Sequence, residues 1–233
     1  MSDHPLDNAI WHALTGEQAR FALGTGKARR FHTDIGPLAG MADRSAESLA
    51  DLAALIRAYG TLALLQPGDP LPARAGDMGI LVEKQAECVQ MAYTGGALPP
   101  ATPDPDIAVL GPEHYPEMMD LALLTEPGPF AARTADLGRF WGIFDGGRLA
   151  AMAGQRTRPS GHTEVSAVCT HPQARGRGLA RRLMRVVLRQ ILEEGRVPFL
   201  HAYADNEAAI GLYQRLGFTE RARVLVTVCS AAP

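Results

Sequence analysis

The residues of this chain whose types and spacing could do chemistry are concentrated between Glu164 and Ala180, a stretch reading EVSAVCTHPQARGRGLA. Val165, Ala167 and Cys169 alternate with Glu164, Ser166 and Thr170, a strand pattern that stops at Pro172. Arg175, Gly176, Arg177 and Gly178 then form a glycine-bearing loop, and an amphipathic helix pattern starts directly after it at Leu179, Ala180 and Arg181. Strand, tight loop and helix N-terminus in this order aim backbone N–H groups and the positive end of a helix dipole at one point, which makes an anion site. Gly176 and Gly178 let the backbone approach a phosphate closely. Arg175, Arg177, Arg181 and Arg182 add positive charge around the mouth, and a guanidinium pairs with phosphate through two parallel hydrogen bonds.

An isolated Arg-Gly-x-Gly is equally compatible with a solvated turn, so its surroundings decide. A Walker-type loop ends in Gly-Lys-Ser/Thr, whereas Gly178 is followed by Leu179 and Ala180. A dinucleotide loop has a third glycine, and the sixth position here is Arg181. Pyrophosphate remains the favoured anion, without NTP or NAD. Downstream, Asn206 to Phe218 reads NEAAIGLYQRLGF.

Together the two stretches resemble the GCN5-related N-acetyltransferase (GNAT) superfamily, and within it the FR47-like branch. The family's R-G-x-G-x-G/A loop is matched at Arg175, Gly178 and Ala180, and its N-x-x-A-x-x-L-Y-x-x-x-G-F motif at Asn206, Ala209, Leu212, Tyr213, Gly217 and Phe218. The resemblance covers residues 107–230 and rests on two independent motifs in the family's order. It implies an acetyl-CoA-dependent N-acetyltransferase that moves acetyl directly to a primary amine on a small molecule, an amino acid or a protein N-terminus. Arg175 to Arg181 would hold the pyrophosphate of acetyl-CoA. Val168, Cys169 and Thr170 would meet its pantetheine arm through main-chain bonds in a gap between splayed strands. Tyr213 matches the general acid for the CoA sulfur, and a backbone N–H near Val168 would polarise the thioester carbonyl. Glu164 is a candidate base, acting directly or through water, or else a substrate anchor. Asn206 would bond the CoA arm or cap its helix. Cys169 has no obvious activating histidine except His171, so a covalent cysteine mechanism is disfavoured. An acyl-CoA-binding sensor without turnover would use the same loop.

The elements that must position these groups follow from the whole chain. Its 233 residues are 46% hydrophobic and 21% charged, an ordinary globular composition. The net charge of −2 and an aromatic content of 6% give no case for nucleic-acid binding. No apolar run approaches the roughly 20 residues of a membrane helix, and the first residues carry no secretory pattern. The three cysteines are scattered and show no metal-ligand spacing, as expected of reduced thiols in a cytoplasmic protein, and the seven histidines do not cluster. No metal is implied.

The proline-rich segment 98–105 reads as a linker between an N-terminal α/β region (1–97) and the acetyltransferase domain (106–233). In the N-terminal region, helices are expected at 8–14, from a capping box at Thr15 to Gln18, and after Asp43 or Ser45; strands are expected at 61–65, 80–82 and 88–93. By the resemblance this region is a degenerate half of the same fold, with the task of walling one side of the substrate cleft or making a homodimer contact. In the second half, strands are expected at 107–110, 140–144, 149–156, 164–170, 197–203 and 223–229, with helices at 113–124, 133–137, 178–194 and from Asn206. Asp145-Gly146-Gly147 marks a hairpin, and residues 125–130 are where acceptor selectivity is expected. The fold class is α/β: a GNAT-type mixed, mostly antiparallel sheet flanked by helices on both faces.

Overall fold

The computed structural model describes residues 4–72, 74–96, 98 and 103–232. The N-terminal half runs α1 (Ala9–Thr15), β1 (Ala22–Leu23), β2 (Ala28–Phe31), β3 (Leu38–Met41), α2 (Ala46–Tyr59), β4 (Leu62–Pro67), α3 (Arg74–Asp77) and β5 (Ile80–Tyr93). The C-terminal half runs β6 (Ile107–Leu110), α4 (Tyr115–Thr125), β7 (Phe140–Asp145), β8 (Arg148–Gln155), β9 (His162–Thr170), α5 (Leu179–Glu193), β10 (Val197–Tyr203), α6 (Glu207–Arg215) and β11 (Phe218–Ala231). The strands form one sheet in the order β1-β2-β3-β4-β11-β5-β10-β9-β8-β7-β6. Only β3–β4 and β9–β10 pair in parallel; the other neighbours are antiparallel.

Those two parallel pairs expose an internal two-fold pattern. In each half a parallel pair is joined by a crossover helix, β3-α2-β4 and β9-α5-β10, and is followed by one long strand, β5 or β11. Each long strand crosses to the other half: β5 pairs with β10, β11 pairs with β4, and the two pair with each other at the centre. The halves therefore complete one another's sheet. Of the proline-rich segment, residues 99–102 lie outside the described residues; on its far side Asp104, with Asp106, receives the guanidinium of Arg182 on α5.

Apolar faces dictate the layers. Leu179, Leu183, Met184, Val187, Leu188 and Ile191 recur on one side of α5 and are buried against the sheet, each worth about 1.5–3 kcal/mol relative to exposure. Leu49, Leu52 and Ile56 do the same for α2, whose N-terminus is capped by the Ser45 side chain accepting from Ser48 N. On β5, Val89 and Met91 face the α5 cluster while Cys88 faces the cluster of α1, so helices lie on both faces.

Two local expectations change. Thr15 ends α1 rather than opening a helix, its hydroxyl bonding Trp11 O at 2.8 Å. Gln18 is buried, donating to Arg156 O at 2.8 Å and accepting from Arg158 N at 2.9 Å, so it clamps the two halves. The separate strands at 80–82 and 88–93 are one strand: Glu83, Lys84 and Glu87 interrupt the apolar pattern but lie exposed on a ribbon that pairs with β11 from Ile80 to Tyr93, with Glu83 left over at a bulge.

Candidate active site

β9 ends at Thr170, a 3-10 turn covers Pro172–Ala174, and α5 starts at Leu179 with Gly178 as its N-cap. Gly176 and Gly178 adopt φ of 78° and 74°, a backbone region that side chains disfavour, and a Cβ on either would meet nothing within 4 Å. Conformation is thus what calls for glycine, and the space over the loop is open. No side chain caps α5, unlike α2 and α6, so the first-turn N–H groups of Leu179, Ala180 and Arg181 stay available for an anion.

The arginines divide. Arg177 is paired with Asp145 of the β7–β8 turn, and Arg182 is held by Asp104 and Asp106. Arg175 reaches back to Thr170 O at 3.4 Å. Arg181 is exposed and has no ion pair among the described residues. The charge at the mouth therefore rests on Arg175 and Arg181, while Arg182 fastens the start of the second half.

Next to the loop the sheet opens. β9 and β10 pair only at Val197–His162, Pro198–Thr163 and Phe199–Glu164, after which each strand runs on unpaired with the other. On its opposite edge β9 carries a bulge between Ser166 and Cys169, with Ala167 at φ 51°. The extra residue reverses the alternation, so Val165 packs in the α5 cluster and Cys169 in that of α4. The main chain around Val168 is left facing the gap between the strands.

A cavity of about 340 Å³ passes through this gap. Asn206, Ala209 and Tyr213 of α6 line it from the α5 face, and Leu38, Ala63, Leu65 and Cys88 from the α1 face; Val168 and the loop Glu126–Pro129 complete it. Tyr213 is buried against Phe218, and burial pushes its hydroxyl up to about 12, so it stays protonated at neutral pH. Asn206 also caps α6, accepting from Ala209 N at 3.1 Å. The Cys169 thiol is pushed up to about 11 by burial, which keeps it protonated and unreactive. Among the described residues no cluster could hold a metal.

Glu164 lies beneath this lining rather than in it. It is fully buried and accepts from Arg156 Nε and Nη2 at 3.0 and 2.7 Å and from Thr157 Oγ1 at 2.7 Å, with His201 Nδ1 at 2.8 Å. Burial alone would raise its pKa, but the Arg156 charge and the hydrogen bonds from His201 and Arg156 overcome this and hold the carboxyl far below the usual carboxylate range. The chain of bonds also fixes the imidazole. Gln90 accepts from Arg221 Nη1 and donates to Leu6 O, so its remaining N–H meets His201 Nε2 at 3.1 Å. His201 accordingly carries its proton on Nδ1, directed at Glu164. Sequence reasoning missed Arg156, His201 and Gln90; the one available signal was an arginine closing the apolar run Leu149 to Gly154.

A two-half α/β sheet with a splayed parallel pair, a bulged central strand and an uncapped glycine loop is the architecture of an acyl-CoA-dependent transferase. The FR47-like protein family model matches residues 140–226. A chain from Novosphingobium aromaticivorans, assigned to the GNAT family and known from its crystal structure, is 41% identical; the match covers 99% of this chain and 100% of that one, with a TM-score of 0.89. This chain belongs to the GNAT family of N-acetyltransferases. N-alpha-acetyltransferase RimI of Mycobacterium tuberculosis is 36% identical over 101 residues, a match that spans 40% of this chain and 62% of that protein. A GCN5-related N-acetyltransferase from Kribbella flavida shares the fold, with a TM-score of 0.57 at 20% identity over 94% of this chain and 95% of that one. Among the described residues no helix is long and apolar enough to cross a membrane.

Proposed function

We propose that the protein transfers the acetyl group of acetyl-CoA directly to a primary amine. The observation that carries this reading is the succession of loop, gap and cavity: available N–H groups at the start of α5, beyond the end of β9, and then the unpaired edge of β9 at Val168 and the Tyr213 side chain, which line one cavity. Gly176 to Arg181 bind the pyrophosphate, with Arg175 and Arg181 supplying charge. Val168, Cys169 and Thr170 offer main-chain groups to the pantetheine arm, and Asn206 adds its side chain beside them. A backbone N–H near Val168 polarises the thioester carbonyl. The amine nitrogen forms the new C–N bond, the C–S bond breaks, and Tyr213 donates its proton to the departing thiolate.

Glu164 serves this site at one remove. With its oxygens taken up by Arg156, Thr157 and His201, it holds the cavity floor in shape, and the amine loses its proton to water or to another group in the cavity.

Isothermal titration with acetyl-CoA on wild type and Gly178→Glu tests the assignment, followed by thiol release with a panel of amines. Wild type is expected to bind and the variant not to, since its carboxylate repels the pyrophosphate from a position already demanding φ 74°. Equal binding by both would sink the loop assignment. Binding without turnover of any amine would favour an acyl-CoA sensor.

A further inference from the structure

The walls of the cavity differ sharply in character from its rim. Leu38, Ala63 and Leu65 from the N-terminal half and Val226 and Val228 of β11 oppose Val165 of β9. Arg156 and His201, set among them, are already committed, Arg156 to Glu164 and both ring nitrogens of His201 to Glu164 and Gln90, while Thr61, Ser166, Tyr203, Asn206 and Tyr213 add uncharged polar side chains to the lining. The Cys88 thiol is pushed up to about 11 by burial and is uncharged. Glu126 supplies the carboxylate of the lining. It lines both this cavity and an adjoining groove of about 450 Å³, so it stands where one opens into the other, and its carboxylate has no hydrogen-bond or ion-pair partner among the described residues. It also sits in the left-handed region, at φ 47°, as the C-cap of α4 just before Pro127 and Gly128. A non-glycine residue persists there only where its surroundings hold it.

We infer that the acceptor is a small primary amine on an uncharged hydrocarbon or aromatic body, drawn in as its ammonium by Glu126 and packed against the apolar wall supplied by β4 and β11. This rests on the acetyltransferase reading above and narrows its acceptor. An amino acid would carry a carboxylate into a space where no cation is free to receive it, since Arg156 is neutralised by Glu164. A peptide would bring a run of amide groups against the wall of Leu38, Ala63, Leu65, Val226 and Val228, whose side chains offer them no hydrogen bonds. An apolar amine meets neither cost, and its one charge is matched at the entrance.

The test compares phenethylamine, phenylalanine and tri-alanine in the thiol-release assay, with amine affinity measured by titration in the presence and absence of acetyl-CoA. Phenethylamine is expected to exceed phenylalanine and tri-alanine at least a hundredfold in kcat/KM. Glu126→Gln keeps the shape of an exposed loop residue; it should raise KM for phenethylamine about tenfold and flatten the decline of kcat/KM with added salt, leaving acetyl-CoA affinity unchanged. Turnover of phenylalanine or tri-alanine at a comparable rate would overturn the inference. So would an unaltered Glu126→Gln, or failure of phenethylamine both to bind and to react in a protein that binds acetyl-CoA. Failure to bind acetyl-CoA is a different result: it removes the acetyltransferase reading, while the amine titrations still decide whether the cavity prefers an apolar ammonium.

Discussion

Glu164→Gln separates a buried structural carboxylate from a catalytic base. The wild-type side chain is wholly buried and Arg156 is 8% exposed, so no water stands ready to replace the four contacts between 2.7 and 3.0 Å that the carboxylate makes with Arg156, Thr157 and His201. The amide keeps the volume but loses the charge, and its NH2 must face one of these donors. Breaking a buried ion pair from one side costs about 3–5 kcal/mol. For a chain of this length each kcal/mol lowers Tm by about 2–4 °C, so a fall on the order of 10 °C is expected. Thermal and urea unfolding of wild type, Glu164→Gln and the apolar double replacement Arg156→Met with Glu164→Leu form the assay. The double variant should recover more than half of the loss, because no charge is then stranded. The sign of the pH dependence follows from a folded pKa held below the unfolded one. The stabilisation is complete above the unfolded carboxyl value of about 4.3 and is lost as pH falls from there toward the folded value. The Tm gap between wild type and Glu164→Gln should therefore be flat near neutrality and narrow below about pH 4. A loss under about 1 kcal/mol, the worth of an exposed pair, would refute the reasoning. Lost turnover with unchanged stability would instead make Glu164 the base.

Tyr213→Phe should lower kcat by about a hundredfold with acetyl-CoA affinity unchanged, measured by thiol release and titration, because only the proton to the thiolate is removed. Arg181→Ala should weaken acetyl-CoA binding several-fold, whereas Arg182→Ala should leave it within twofold and cost under about 1 kcal/mol of stability, since Arg182 is occupied by Asp104 and Asp106 at a partly exposed site. Titration should give one acetyl-CoA per chain despite the internal two-fold pattern. In the N-terminal half the matching helix α2 already has the Asp43 carboxylate at its N-terminus, bonded to Ser45 N at 2.8 Å and Ser48 Oγ at 2.7 Å, with Glu47 in its first turn. A second equivalent of bound acetyl-CoA would contradict this.

Local chemistry made much of the second half legible in the sequence. The strand–loop–helix around Gly178, the turn at Asp145 to Gly147 and the amphipathic face of α5 depend on neighbours within a few residues, and they form close to where the pattern places them. The paired motifs likewise give the GNAT fold. Long-range pairing was hidden. Nothing local in Ile80 to Tyr93 or Phe218 to Ala231 says that each strand leaves its own half to complete the other's sheet, because hydrogen bonding between strands is blind to which half supplies the partner. Charge carries the same limit. Arg156, Glu164 and His201 look alike in sequence whether solvated or buried, and only their convergence from just past β8, from β9 and from β10 turns them into a closed network. Arg177 and Arg182 read as charges beside the loop, and only the fold brings Asp145 and Asp104, distant in the chain, against them. The sequence by itself determined the glycine loop, the helix that follows it and the family. Tertiary structure alone decided which charges remain free, since that depends on partners the fold assembles from remote parts of the chain.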